Sequence, residues 1–454
     1  MSLEEQLCNH VSACRYEDLP PEAVQSAKFS ILDTIGVMLA STTNSDDCVK
    51  MAAFARQFGG RPESTVIGFG DRLPSPMTAL VNGALCHPLD YDDVHERAKS
   101  HPSAQTLPAA LAVAQRVGSV SGRELITAVA VGADAALRIA LAVDAGPTEH
   151  GWLGSAVYGP FGAAVAAGKI IGLSPTAMSH AIGMAFAQTG GTREMAEGSS
   201  LRGVRDGFSA KVGVVSALLA QQGMTGPGRF LEGRAGLYNL YFRGKYTPER
   251  LLKNLGSVYE GAHVSYKLWP ACRLTHTYIE ALLSVMREQK LTLQDIDQVN
   301  IVVSKWGKEL CEPADRRLNP RTSVAAGDSL PFTLGIAMAH QAVKIEHFAA
   351  EGLADQRVLD AARKIIHRFD ASLDPADMTP GDVTVKTCDG RVFNKRVEFA
   401  YGSPQNPHKK GGLEEKFVDC VRHSVVPIDT NRAQQLIDHI LALENVPSIE
   451  MIVP

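Results

Sequence analysis

The chain has 454 residues, 45% of them hydrophobic and 21% charged, with a formal net charge of −4. That length exceeds one ordinary hydrophobic core, so two domains are expected, and the composition excludes a disordered chain. The near-neutral balance, with no basic run longer than Lys409-Lys410, offers neither nucleic acid nor an anionic membrane a matching surface.

The eight cysteines (8, 14, 48, 86, 272, 311, 388 and 420) are scattered and never spaced C-x-x-C, which suggests reduced thiols rather than a disulfide framework. The start, MSLEEQLCNH, lacks the charged-then-apolar pattern of a secretion signal. Apolar runs such as Leu125 to Ala133 and Phe161 to Leu173 end at Asp134 or are broken by Lys169, too short to span a bilayer. The expectation is a cytoplasmic protein with no membrane partner.

Roughly the first 265 residues read as successive helices. Pro20-Pro21-Glu22 opens one, because proline suits the first helical turn and an acid suits the positive end of the dipole. Val24, Ala27, Ile31, Ile35 and Met38 follow at helical spacing, as a buried stripe would. Ser103 is placed to cap a helix carrying Leu107, Leu111 and Ala114. Another runs from about Phe161 to Ile171, with Gly172 as its stop, and Ser174-Pro175 reads as a cap followed by proline at the first helical position. Alanine and glycine dominate these segments, so the helices can approach closely.

The texture changes after about Lys267. Val299 to Val303 has the β-branched density of a strand. Asp382 to Lys386, Asp389-Gly390 and Val392 to Phe399 read as a hairpin, the Asp-Gly pair supplying positive φ. Between them Leu330 to Ala342 and Ala354 to His367 read as helices. Gly402 to Pro407 is a loop, after which helical patterns resume from Leu413 to Leu443. The reading is mostly α: a large helical domain from residues 1–266 and 402–454, and a smaller α+β domain from 267–401.

Three polar clusters stand out. HPLDYDDVHERAKSHPSA holds His87, Asp90, Asp92, Asp93, His95, Glu96 and His101. If helical, it would align His87, Asp90 and Asp93 on one face. Carboxylates beside imidazoles can shuttle protons near neutral pH. The same residues could ligate a divalent ion, or simply form a hydrogen-bonded acidic turn. GSSLRGVRDGFSAKVG offers Ser199, Ser200, Arg202, Arg205 and Lys211; arginine forks match carboxylates, but on these residues alone two arginines on an exposed helix face are the favoured reading. SYKLWPACRLTH brings Lys267, Trp269, Cys272, Arg273 and His276, either an anion site or a domain junction, with Arg316-Arg317 similarly ambiguous. GPGRFLEG fails the dinucleotide fingerprint, and the chain has no Walker GK[ST], G-x-S-x-G, HExxH or kinase set. Nothing in these patterns demands a nucleotide, flavin or metal, which narrows the expectation to acid–base chemistry by side chains.

Read in order, HPLDYDDVH…HPSAQTLPAALAVA, GPFGAAVAAGKIIGLSP, SALLAQQGMTGP, KLWPACRLTH and YGSPQNP…LEEKF resemble the MmgE/PrpD family nearly end to end. That family includes 2-methylcitrate dehydratases, cis-aconitate decarboxylases and iminodisuccinate epimerases. The resemblance implies a helical domain built from both chain ends, an α+β lid, a homodimer, and a cofactor-independent site between the domains for a small polycarboxylic acid. The family's D-[FY]-[DN]-D matches Asp90 to Asp93, its H-P-S matches His101 to Ser103, and its K-x-[YFW]-P-x-C-R matches Lys267 to Arg273. Val94 stands where a threonine is common, Leu153 where a histidine is usual, and Arg202 where G-[ST]-x-x-K has its lysine. Leucine cannot exchange a proton and arginine stays charged, so His150 is a conceivable substitute for the missing imidazole.

The expected chemistry is proton transfer at a carbon next to a carboxylate, by a lyase (dehydratase or decarboxylase). An isomerase or epimerase is the alternative, or a non-catalytic acid- or partner-binding family member. His101 is the expected acid or base, Asp90 orients it or binds substrate, and Lys267 stabilises the enediolate. Arg202, Arg273, Asp93 and Ser103 are the expected substrate-binding residues.

Overall fold

The computed structural model describes residues 1–144, 146–196, 199–373 and 380–454. The chain divides into two compact units. Met1–Pro88, Asp92–Val264 and Lys410–Pro454 form the first; Leu89–Tyr91 and Ser265–Lys409 form the second.

The first unit is helical. Its longer helices before residue 265 are α1 (Leu3–Ala13), α2 (Pro21–Asn44), α3 (Asp46–Arg56), α4 (Ser75–Ala84), α5 (Ser103–Val117), α6 (Gly122–Leu141), α7 (Gly154–Ile170), α8 (Pro175–Phe186) and α9 (Leu201–Gln221). Pro21 opens α2 as expected, but from Ser30 to Thr42 the helix is buried all round rather than along one stripe. Val24 is only half-buried, because it lies before that enclosed stretch. Ser174 does cap α8, accepting from the Ala177 amide. Helix α7 starts seven residues before the expected Phe161 and stops as foreseen, with Gly172 at φ +68° just beyond.

Small residues set the helix spacing in this unit. A Cβ on Gly213 of α9 would lie 2.4 Å from Ala163 Cβ of α7, and one on Gly162 of α7 would lie 2.8 Å from the Gly132 carbonyl of α6. On α9, a Cβ at Gly207 would come within 2.1 Å of the Leu80 carbonyl of α4. That contact fixes α9 against α4.

In the second unit, α10 (His276–Glu288), α11 (Leu330–His340) and α12 (Gln356–Ala362) accompany a four-stranded sheet. Its strands are β1 (Ile296–Val303), β2 (Ile365–Phe369), β3 (Gly381–Thr387) and β4 (Val392–Val397), in the order β2-β1-β3-β4. β1 and β2 are parallel, while β1–β3 and β3–β4 are antiparallel. Val299, Ile301, Val303, Val383 and Val385 point inward to a core shared with Ile279, Leu282, Phe332 and Ile336. The expected strand and hairpin are present, with Gly390 at φ +87° in the turn. The helix expected to run to His367 ends at Ala362, and His367 belongs to β2.

The helical run expected from Leu413 to Leu443 is two helices, α13 (Gly412–Val421) and α14 (Thr430–Leu441). Lys416 of α13 reaches Asp33 of α2 at 2.6 Å, with both groups almost fully buried. Breaking such a pair strands a buried charge. No helix among the described residues is long and apolar enough to cross a membrane, and all eight cysteines are free.

The α4–α9 approach is backbone to backbone, so no rotamer change can relieve an added methyl. Gly207→Ala is expected to lower stability by about 1–3 kcal/mol or more, read from the urea midpoint. An unchanged midpoint would show that the two helices part easily.

Candidate functional site

The acidic segment after α4 is not a helix. From Leu85 to Pro102 it is a chain of turns, and Asp90 takes the left-handed φ of +46°. Prolines at 88 and 102 and the backbone of Asp90 interrupt any helical repeat. His87, Asp90 and Asp93 therefore do not share a helix face; the turns make a different set of partners.

Within the first unit, the carboxylate of Asp92 lies between two imidazoles. His87 Nδ1 is 3.0 Å from Asp92 Oδ1 and His101 Nδ1 is 3.1 Å from Oδ2. The two rings meet edge to face, with centroids 4.5 Å apart. His101 Nδ1 also lies 2.8 Å from the Asp93 carbonyl oxygen. Only an N–H can face two such acceptors, so His101 carries its proton on Nδ1 and Nε2 is its basic atom. Asp92 is fully buried; burial pushes its carboxyl up, but the two imidazoles hold it well below the usual carboxylate range. Burial, then the cation of Arg205, drive His87 down to about 4. His101 is the more open of the two, its side chain 14% exposed against 3% for His87. The carboxylate beside the His101 ring is Asp92; the sequence reading had Asp90 orienting that ring or binding substrate.

Asp93 and Ser103 are turned toward each other. The Ser103 hydroxyl donates to Asp93 Oδ2 at 2.6 Å, and Ser30 of α2 donates to the same oxygen at 3.0 Å. Ser103 is the first residue of α5, where Pro102 holds the cap position, so it does not cap the helix as expected. These bonds fix the loop whose carbonyl holds His101. The His101 amide in turn donates to Ser155 Oγ, at the start of α7. His95 is used locally: its Nδ1 accepts from the Ala98 amide, and its Nε2 lies 3.6 Å from Glu260.

Arg205, expected on an exposed face, is 7% exposed and lies near His87. Arg202 is half-buried in the first turn of α9, and its carbonyl accepts from Arg205 Nη1. Gly198, which opens that motif, lies outside the described residues. Val94 is buried, Leu153 precedes the first residue of α7, and His150 packs edge-on against Phe242 at 5.7 Å.

In the second unit, the buried ammonium of Lys267 donates to the Asp90 carbonyl at 3.0 Å and to its carboxylate. The left-handed turn at Asp90 presents both oxygens to one cation. Cys272 and Asp328 lie beside Asp90. Burial, with those two carboxylates, pushes the Cys272 thiol up to about 12, so it stays protonated. Arg273 donates to the carbonyls of Ala400 and Tyr401 and faces His276 Nδ1 at 3.5 Å. It thereby ties the end of the sheet region to α10. Burial, with Arg273 and Lys267, keeps His276 neutral. Sequence reasoning named these residue types but missed Asp92 as the shared partner of two imidazoles and Asp328 as a neighbour of Asp90. The short spacing from His87 to Asp92 was the available signal for the first.

Two groups among the described residues bring three potential metal-ligand atoms within 4.8 Å: His87, Asp92 and His101, and Asp90, Cys272 and Asp328. In the first, His101 Nδ1 also faces the Asp93 carbonyl, and in the second Asp90 also accepts from the Lys267 ammonium.

Asp93 has a raised pKa of about 6, caused by burial and by Asp33 and Asp92 against the bonds from Ser103 and Ser30. A carboxyl raised above its unfolded value binds its proton more tightly in the folded state. Its contribution to stability therefore falls as pH rises from about 4 to about 6. Asp93→Asn is expected to flatten that part of the stability profile, measured by urea unfolding at intervals of half a pH unit; an unchanged slope would refute it.

Comparison with known proteins agrees with this two-part chain. Residues 5–249 match the MmgE/PrpD N-terminal domain and 269–443 the MmgE/PrpD C-terminal domain. Cis-aconitate decarboxylase of Aspergillus terreus (strain NIH 2624 / FGSC A1156) is 27% identical, covering 98% of this chain and 94% of its own. A cis-aconitate decarboxylase-like protein, oryM, of Aspergillus oryzae is 26% identical over 97% and 94%. Cis-aconitate decarboxylase of Homo sapiens is 26% identical over 92% and 87%. The chain belongs to the MmgE/PrpD family.

Proposed function

We propose that this protein is a lyase that decarboxylates a small unsaturated tricarboxylic acid of the cis-aconitate type. The observation that carries the reading is His101, whose Nδ1–H is fixed by a buried carboxylate and a carbonyl so that Nε2 is its proton-exchanging atom. The full-length relatives named as cis-aconitate decarboxylases favour loss of CO₂ over loss of water.

The chemistry follows from the residues. The bond between a carbon and its carboxylate breaks, CO₂ leaves, and the electron pair spreads onto a neighbouring carboxylate as an enediolate. The Lys267 ammonium stabilises that developing charge, Arg202 holds a remote carboxylate, and Asp90 keeps Lys267 in place. His101, protonated on both nitrogens, delivers the Nε2 proton to carbon, and Asp92 stabilises the imidazolium beforehand. Asp93 and Ser103 act by holding the His101 loop, and Arg273 by holding its own segment.

Incubation of the protein with cis-aconitate, citrate, 2-methylcitrate and iminodisuccinate in D₂O, followed by NMR, tests the reading. Decarboxylation of cis-aconitate with one deuterium in the product is expected. Dehydration of a hydroxy acid or isotope exchange without net conversion would move the chain to the dehydratase or epimerase reading, and binding alone to the non-catalytic one. His101→Gln is expected to lower kcat by about 10²–10⁴, and Lys267→Met by about 10²–10³. If both variants kept wild-type turnover, the residue assignment would be wrong.

A further inference from the structure

The chain reaches His101 through a tight turn, and a second histidine closes that turn. The His95 amide donates to the Ser100 carbonyl at 2.8 Å, and the His95 ring accepts at Nδ1 from the Ala98 amide at 3.1 Å. A ring nitrogen that accepts carries no hydrogen, so the proton of His95 sits on Nε2, the opposite nitrogen from that of His101. Lys99 takes a left-handed φ of +49° inside the turn, a conformation that its neighbours must hold in place. The ring of His95 is buried, and Ser100 leads directly into His101. The tautomer of one imidazole therefore bears on the path by which the backbone delivers the other.

A carboxylate from a distant part of the same unit faces that tautomer. Glu260 Oε2 lies 3.6 Å from His95 Nε2, longer than a full hydrogen bond but in range for a carboxylate to hold an N–H dipole toward itself. Helices fix the backbone that carries Glu260. Its amide donates to Asp134 Oδ1 of α6 at 2.8 Å, and Ser26 of α2 donates to the neighbouring Gly261 carbonyl at 2.6 Å. Asp134 is itself held by Arg138 Nε at 2.7 Å, and Arg138 Nη1 donates to the carbonyls of Leu251 and Lys253 earlier in the same segment. His263 meets the same Oε2 from the exposed side at 3.4 Å. Contacts with His263, then with His95, keep the Glu260 carboxyl well below the usual carboxylate range, so it is ionised where His95 faces it. Arg97 of the turn and Asp134 are the other charged groups close to His263.

We propose that Glu260 is a positioning residue for His101: its carboxylate, anchored on α2 and α6, holds the Nε2–H of His95, so that His95 Nδ1 stays an acceptor and keeps closed the turn that leads into His101. The role is indirect, because Glu260 acts through His95 and the 95–100 backbone and touches neither His101 nor any reacting atom. Its kinetic consequence rests on the reading of His101 given above; the tautomer of His95 and the closure of the turn do not.

The test compares wild type, Glu260→Ala and Glu260→Gln as intact proteins, by nitrogen NMR of the histidine rings (assigned by His→Gln substitution), amide deuterium exchange and kinetics. In wild type His95 is expected as the Nε2–H tautomer. In Glu260→Ala the Ala98 amide is expected to exchange roughly tenfold faster or more, with the His101 ring nitrogens shifted. Glutamine keeps an oxygen that can accept from Nε2–H, so Glu260→Gln is expected to restore both. With the acid that the screen identifies, Glu260→Ala should lower kcat by about 10–10² with KM little changed, and Glu260→Gln should recover it; a general loss of stability would not divide the two constants in this way. A wild-type His95 protonated on Nδ1 would overturn the proposal even if the alanine variant failed to fold. So would a folded Glu260→Ala protein with unchanged Ala98 exchange, or one with unshifted His101 rings. Failure of the decarboxylase reading would leave the NMR and exchange results as they are, so the two failures are distinguishable.

Discussion

One buried carboxylate organises the first-unit site. Asp92 has no exposure and two imidazoles bonded to it. An ionised group in that position persists only while its partners are held in place, because an isolated buried carboxylate would take up a proton. The surrounding turns are therefore not free to rearrange. The Asp93 carbonyl on His101, the two serine hydroxyls on the Asp93 side chain, and the close α4–α9 approach all serve to keep those imidazoles where they are. The irregular backbone from 85 to 102 is what the geometry requires. A helix would have set side chains on fixed faces and could not have given neighbouring carboxylates separate partners.

That separation is clearest at Asp90 and Asp92. With one residue between them in sequence, they serve different partners: Asp90 holds a lysine ammonium within the second unit, and Asp92 orients imidazoles within the first. A left-handed backbone at Asp90 makes room for the change of direction. Under the proposed function, this short stretch positions both the lysine assigned to charge stabilisation and the histidine assigned to proton transfer.

Much of the architecture is legible in the residues themselves. Pro21, Ser174-Pro175 and Gly172 mark helix ends because their backbone preferences are local, and the Asp389-Gly390 turn marks the hairpin for the same reason. The strand at Ile365–Phe369 is not legible. It is an edge strand whose burial does not alternate cleanly, and it follows directly on a helix. The family likeness was readable because its motifs are spread along the chain in order. The polar clusters were readable too, since histidine, aspartate and lysine crowd into short segments. Their pairing was not, because Asp90 and Asp92 are chemically identical and only the turn geometry decides which faces an imidazole. Arg205 was read as surface charge because helical spacing says nothing about which face a neighbouring loop will cover.

The central proposal is that His101 Nε2 delivers a proton to carbon of the bound acid. It is tested most directly by a crystal structure with a slow or non-reacting tricarboxylate analogue. The account predicts the carbon to be protonated within roughly 3–3.5 Å of His101 Nε2. A bound analogue with His101 Nε2 facing solvent or protein instead would contradict it.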